Sequence, residues 1–159
     1  MAGPMGRAMF FMVQGPPPGM NYLARIREMG SKANPFFGLM GIEVEHAGEG
    51  EAIISMTVRP DMLNGEGWLQ GGVFTALADE AMVLAIYSLI GPDDRIATIT
   101  ESTTFIGGSR EGCLYALGKV VKKGRRVVFA EGEVRDGARA GPLLTRSTAA
   151  FAVRAGHRT

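Results

Sequence analysis

Apolar and polar positions alternate in two ways along the chain, and the change between them lays out the elements. Leu23, Ile26 and Met29 recur at helical spacing behind Asn21, a capping residue, and ahead of Gly30, which predicts a short covering helix. Asn34 to Gly41 holds Pro35, Phe36, Phe37, Leu39 and Met40, an apolar cluster expected to plug the edge of the core before a strand that begins near Ile42. Ile42 to Glu45 and Glu51 to Val58 read as a hairpin about Ala47 to Gly50, with Ala52, Ile54, Met56 and Val58 sharing one face. Pro60 ends it, and Asp61 to Gln70 is expected to be an irregular loop.

Gly71 to Ile90 is a long helical stretch stopped by Gly91 and Pro92. Beyond it, Ile96 to Phe105, Cys113 to Lys122, Arg126 to Arg135 and Leu143 to Val153 read as strands separated by glycine-bearing turns, an expected antiparallel meander. The long helix is apolar on every face apart from Asp79 and Glu80, so it should be buried all round. One central helix clasped by a curved antiparallel sheet is an α+β architecture.

Length and composition narrow the function classes. At 159 residues and 46% hydrophobic, the chain suits one domain with a core of its own, expected over 20–155, behind an N-terminal extension over 1–19 that Pro16, Pro17 and Pro18 stiffen. A net charge of +1 with interleaved signs argues against nucleic acid as the partner. The lone Cys113 permits no intrachain disulfide and fits a reducing cytoplasm. Val73 to Ile90 approaches membrane-spanning length, but Asp79 and Glu80 would each cost roughly 3 kcal/mol in a bilayer, so no membrane association is expected. The ten methionines point to adaptable packing rather than to a cofactor.

A carboxylate inside an apolar helix loses solvation and must be hydrogen-bonded, paired or neutralised. Asp79 and Glu80 point about 100° apart, so at most one is expected to face a cavity while the other meets a partner or solvent. Gly71 and Gly72, at the helix start, offer free backbone amides and the positive end of the helix dipole, a site suited to an oxyanion. Gly71 and Asp79 are eight residues apart, about 12 Å along one helix, so a single reacting carbon cannot touch both. If both act on one substrate, they come from two antiparallel copies of the helix across a two-fold axis, and the protein is an obligate dimer.

The segment Asn64 to Asp79, N-G-E-G-W-L-Q-G-G-V-F-T-A-L-A-D, resembles the signature of hotdog-fold thioesterases of the 4-hydroxybenzoyl-CoA and phenylacetyl-CoA type. In that signature Asn or Gln is followed, six positions on, by His-Gly-Gly and then by Leu-x-Asp or Leu-x-Glu. Gly124 to Val134, G-R-R-V-V-F-A-E-G-E-V, is also similar to a later strand of the family, and the likeness runs from about Phe36 to Val153. The resemblance implies a hotdog fold and hydrolysis of an aromatic or medium-chain acyl-CoA, with Asp79 as general base or nucleophile. It further implies that the Gly71 amide polarises the thioester carbonyl, that Asn64 sits beside the carboxylate or the substrate, and that Thr98 orients the acid or the attacking water. Gln70 departs from the pattern, standing where the family most often has His, and it cannot titrate near neutral pH. No metal or other cofactor is implied, and self-association is expected as a homodimer, paired again into a homotetramer.

Lys122, Lys123, Arg125 and Arg126, about Gly124, read either as a solvated turn or as a site for the phosphates of coenzyme A, with Gly72 and Arg110 as further substrate contacts. His46 and His157 lie where no catalytic role is expected; Trp68, Phe36 and Phe37 read as packing residues. Two other functions compete with hydrolysis. A hydratase or dehydratase would need a second acid-base group beside the carboxylate, and a non-catalytic acyl-CoA-binding module would have little use for Asp79.

Overall fold

The computed structural model describes residues 20–156; the N-terminal extension expected over 1–19 and His157 lie outside them. Asn21 caps α1 (Tyr22–Met29) by accepting the Ala24 amide at 2.9 Å, and Gly30 closes it at φ 59°. A 3-10 turn leads to α2 (Pro35–Met40), capped by Asn34 and ended by Gly41 in the left-handed region. The expected apolar plug is therefore a helix, with Phe37 fully buried beneath it. The strands are β1 (Ile42–Gly48), β2 (Glu51–Thr57), β3 (Arg95–Phe105), β4 (Cys113–Lys123), β5 (Val127–Asp136) and β6 (Leu143–Arg154), and the central helix is α3 (Gly71–Tyr87). Their ends fall within a few residues of those read from the pattern.

The six strands form one antiparallel sheet in the order β1-β2-β4-β5-β6-β3. The last four strands are thus not a simple meander. β3 lies at the far edge beside β6, and β4 returns to pair with β2. The crossing has a physical reason: α3 runs over the sheet face between β2 and β3 and hands the chain to the opposite edge, from which residues 106–112 carry it back.

α3 lies very close to the middle of the sheet because the strands beneath it present small residues. Ala52 pairs with Gly118, and Gly118 with Gly132, in one row across β2, β4 and β5. A methyl group added at Gly118 would sit 2.3 Å from the Ala81 carbonyl carbon and oxygen, and one at Gly132 would sit 3.2 Å from the Ala78 methyl. Ala78, Ala81 and Ala85 of the helix are themselves fully buried, so backbone packs on backbone. Larger side chains on both sides of this contact, among them Phe37, Ile54, Met56, Leu77, Met82, Leu114, Val128 and Phe151, complete the core.

The helix is not enclosed on every side, as its composition suggested. Gly72 is exposed, and Val73, Thr75, Ala76, Asp79, Glu80 and Val83 are half-buried, forming a stripe along α3 that the sheet leaves open. No helix among the described residues is long and apolar enough to cross a membrane.

Candidate active site

Asp79 lies in the middle of the open stripe and faces β3. The Thr98 hydroxyl of that strand donates to Asp79 Oδ1 at 3.2 Å. Burial pushes the Asp79 carboxyl above the usual carboxylate range, and the hydrogen bond from Thr98 pulls it partly back. The result is a carboxylate that is more basic than one in water and is held in orientation by one donor.

A bulge in β3 shapes the strand at this point. Its register against β6 slips between Thr98 and Thr100, so that Thr98 pairs with the buried Phe151 while Glu101 pairs with the buried Ala149. The extra residue returns both Thr98 and Glu101 to the helix-facing side, where strict alternation would have turned Glu101 away. Burial and then the Asp79 charge raise the Glu101 carboxyl above its usual range, while hydroxyls of Thr103 and Ser147 oppose the rise. Thr103 donates to Glu101 Oε1 at 3.3 Å and shares a 2.7 Å hydrogen bond with Ser147.

Glu80 turns away from Asp79, as the angular step along a helix requires, and meets the N-terminal helices. The Tyr22 hydroxyl donates to Glu80 Oε2 at 3.2 Å, Asn34 Nδ2 donates to Oε1 at 3.3 Å, and Asn34 Nδ2 also reaches the Tyr22 oxygen at 2.6 Å. The Glu80 carboxyl is pushed up to about 7, mainly by burial and further by the Asp79 charge, against the lowering effect of its two donors. Tyr22 is locked in by edge contacts with Phe37 and Tyr87.

At the helix start, Gln70 occupies the cap position but makes no side-chain capping bond. Neither the Gly71 nor the Gly72 amide finds an acceptor among the described residues. Gly72 has open space where a side chain would be, and Gly71 is approached by the Phe105 ring at 3.4 Å from an added methyl. Asp79 and these amides are separated by two helical turns, so one protomer does not bring them to one atom.

The other residues singled out in the sequence fall into separate places. Asn64 Oδ1 accepts the amides of Glu66 at 2.9 Å and Trp68 at 3.1 Å, which fixes the loop before α3. Asn64 and Gln70 line a cleft of about 420 Å³ with Leu39, Met40, Arg59 and Val73, beside the helix start rather than at Asp79. The Arg110 guanidinium stacks 3.9 Å over the Trp68 ring. Lys122, Lys123, Arg125 and Arg126 surround the β4–β5 turn, at the far end of β4 from Arg110. An eleven-residue strand spans about 33 Å, so the two basic groups of one protomer do not grip the same phosphate. Among the described residues no three His, Cys, Asp or Glu side chains gather as a metal site would require.

Residues 66–142 match the family model of the thioesterase superfamily. Over those residues, just under half of the chain, its sequence is similar to that superfamily. Its fold is similar to that of a point mutant of the phenylacetic acid degradation protein PaaI from Thermus thermophilus, with 26% identity and a TM-score of 0.68 over 75% of this chain and 98% of that one. A conserved protein from Pseudomonas aeruginosa, PA5202, gives 26% identity and TM-score 0.71 over 76% of this chain and 94% of its own. Thioesterase HI1161 from Haemophilus influenzae, at 22% identity, shares the fold with TM-score 0.70 over 79% and 88% of the two chains. The hotdog architecture expected from the signature is thus the observed one.

Glu101 and the Tyr22–Asn34–Glu80 cluster went unnoticed in the sequence. Glu101 stands in the polar run Thr98-Ile99-Thr100-Glu101-Ser102-Thr103-Thr104, whose lack of alternation was the available signal that this strand does more than pack.

Proposed function

We infer that the protein is an acyl-CoA thioesterase that hydrolyses an aromatic or medium-chain acyl thioester. The observation that carries this reading is Asp79: a carboxyl made more basic by burial, oriented by Thr98, and set on a helix stripe that the chain's own sheet leaves open. In the reaction, Asp79 either takes a proton from an attacking water or attacks the carbonyl carbon itself, and oxygen labelling from solvent in a single turnover separates the two routes. The unpaired amides at Gly71 and Gly72 suit the oxygen that becomes negative as the carbonyl is attacked; losing one such donor typically costs about 3 kcal/mol of transition-state stabilisation.

Because those amides lie two turns from Asp79, the complete site takes the carboxylate from one protomer and the helix start from another. β3 supports this pairing. It is an edge strand, and Ile99, Phe105 and Ile106 on it and just beyond it are exposed. A two-fold axis beside β3 would cover these side chains and close the open stripe of α3. The basic turn over Lys122 to Arg126 then suits the phosphates of the coenzyme, with Arg110 at the opposite end serving a different contact.

A thiol-release assay over benzoyl-CoA, phenylacetyl-CoA and medium-chain acyl-CoAs tests the reading, together with sedimentation of the purified protein. Turnover of at least one thioester by a dimer or tetramer is the expected result. Micromolar binding of acyl-CoA with turnover at background throughout would favour a non-catalytic binding module instead.

A further inference from the structure

The bulge in β3 leaves a second carboxyl group facing α3, and hydrolysis by one carboxylate does not account for it. Thr98 and Glu101 stand three residues apart in a strand, a spacing that normally puts two side chains on opposite faces. Here the register slip between Thr98 and Thr100 puts both on the face that looks at Asp79. Thr98 bonds Asp79 directly, and Glu101 is close enough to feel its charge. Bulges of this kind re-aim side chains beside active sites.

The surroundings of Glu101 favour its protonated form. From α3 it faces Asp79, with Glu80 one position further on; from β6 it faces Ala149 and Ser147, neither charged; from its own strand its neighbours on that face are Thr98 and Thr103. No cation stands among these groups, so when Asp79 is ionised a second negative charge at Glu101 is disfavoured. Two carboxyls whose surroundings separate their protonation states can serve as a base and an acid in one reaction. Resting on the thioesterase reading above, we propose that Glu101 is the catalytic acid of the site and gives its proton to the departing thiolate sulfur.

The step balances by either route to the acyl carbon. Water or the Asp79 carboxylate adds to the thioester carbonyl; the tetrahedral adduct collapses, the C–S bond breaks, and its electron pair goes to sulfur, which takes the Glu101 proton. Where water attacks, Asp79 holds the proton that water gave up and loses it to Glu101 or solvent. Where Asp79 attacks, water then cleaves the anhydride, and solvent returns the proton to Glu101. The products are one carboxylic acid and one thiol.

The test uses two thioesters of one acyl group, both lacking the nucleotide: an N-acetylcysteamine thioester, whose alkyl thiolate needs a proton to leave well, and a nitrothiophenyl thioester, whose thiolate leaves without one. Glu101→Gln is expected to lose about 100-fold in kcat/KM on the alkyl thioester and less than about threefold on the aryl one. Glu101→Asp, which keeps an acid, should recover part of the alkyl activity. The alkaline fall of kcat/KM on the alkyl thioester should disappear in Glu101→Gln. Equal losses on both substrates would make Glu101 structural and overturn the assignment, as would no loss on either. If the wild-type dimer cleaves neither thioester nor any acyl-CoA, the thioesterase reading itself fails and takes this inference with it; wild-type turnover with a Glu101→Gln variant indifferent to the leaving group sinks the inference alone.

Discussion

Replacing Glu80 by Gln should flatten a pH dependence of stability that this one group creates. In the folded chain its carboxyl titrates near 7, against about 4.5 in an unfolded one. A group whose folded value is raised contributes stability that is complete below the unfolded value and is lost as pH rises through the folded value, so the window runs from about pH 4.5 to 7. A displacement of that size corresponds to about 3 kcal/mol of unfolding free energy across the window. Glutamine carries no charge at any pH and keeps an oxygen for the Tyr22 hydroxyl. Asn34 would then face an amide that offers a donor as well, so the variant can start with some penalty of its own. The informative quantity is therefore the difference in stability between variant and wild type as a function of pH. Urea unfolding at fixed protein concentration in steps from about pH 4.5 to 8.5 measures it, the fixed concentration holding any contribution from association constant. The difference should move in favour of Glu80→Gln by about 3 kcal/mol over the window and then level off. Asp79 and Glu101 are shifted in the same direction, but both remain in the two proteins and cancel to first order. A difference that stays constant across the range would refute the buried, Tyr22- and Asn34-bound carboxyl described here.

Three further outcomes follow from the geometry. Gly118→Ala should destabilise the fold by about 3 kcal/mol or more in urea unfolding, because the added methyl meets the α3 backbone at Ala81 and not a flexible side chain. Thr98→Val removes the one hydrogen bond that lowers the Asp79 carboxyl, so the acid limb of kcat/KM should move to higher pH and kcat should fall roughly tenfold; an unmoved limb would disconnect Thr98 from Asp79. Neutralising Lys122, Lys123, Arg125 and Arg126 together should raise KM for an acyl-CoA while leaving the matching N-acetylcysteamine thioester unaffected, and equal effects on both would assign the turn to solvent.

Most of the fold was legible in local pattern, and the losses have identifiable causes. The strands and α3 could be read because their periodicity is strong, and Asn21 and Gly30 mark the ends of α1 through capping chemistry that acts within one turn. α2 was missed although Asn34 at its cap and Pro35 in its first turn are helix-start signals; six residues interrupted by Gly38 show no period. The position of β3 at the far edge depends on pairing with β6, a contact between segments far apart in the chain that no local pattern encodes. The same holds for the Ala52–Gly118–Gly132 row, where three small residues in three different strands acquire meaning only when α3 is laid over them.

The site divides along the same line. Asp79 stood out because a charge in an apolar helix is anomalous at sequence level, and Thr98 was placed by resemblance; the hydrogen bond between them brings the two together. Glu80 was separated from Asp79 by the angular step of the helix alone. Glu101 was hidden because one inserted residue reverses the face of everything after it, and that insertion is visible only as a register slip. Asn64, expected by resemblance beside the carboxylate or the substrate, lies next to the helix start, where its side-chain oxygen accepts two amides of the loop that presents α3.

The proposed hydrolysis rests on the Asp79 carboxyl performing the chemistry, and Asp79→Asn tests that role with almost no change of shape. On the acyl-CoA that wild type cleaves fastest, the variant should lose at least about 100-fold in kcat, with its circular dichroism and sedimentation unchanged. A folded Asp79→Asn protein that releases thiol within about threefold of the wild-type rate would contradict it.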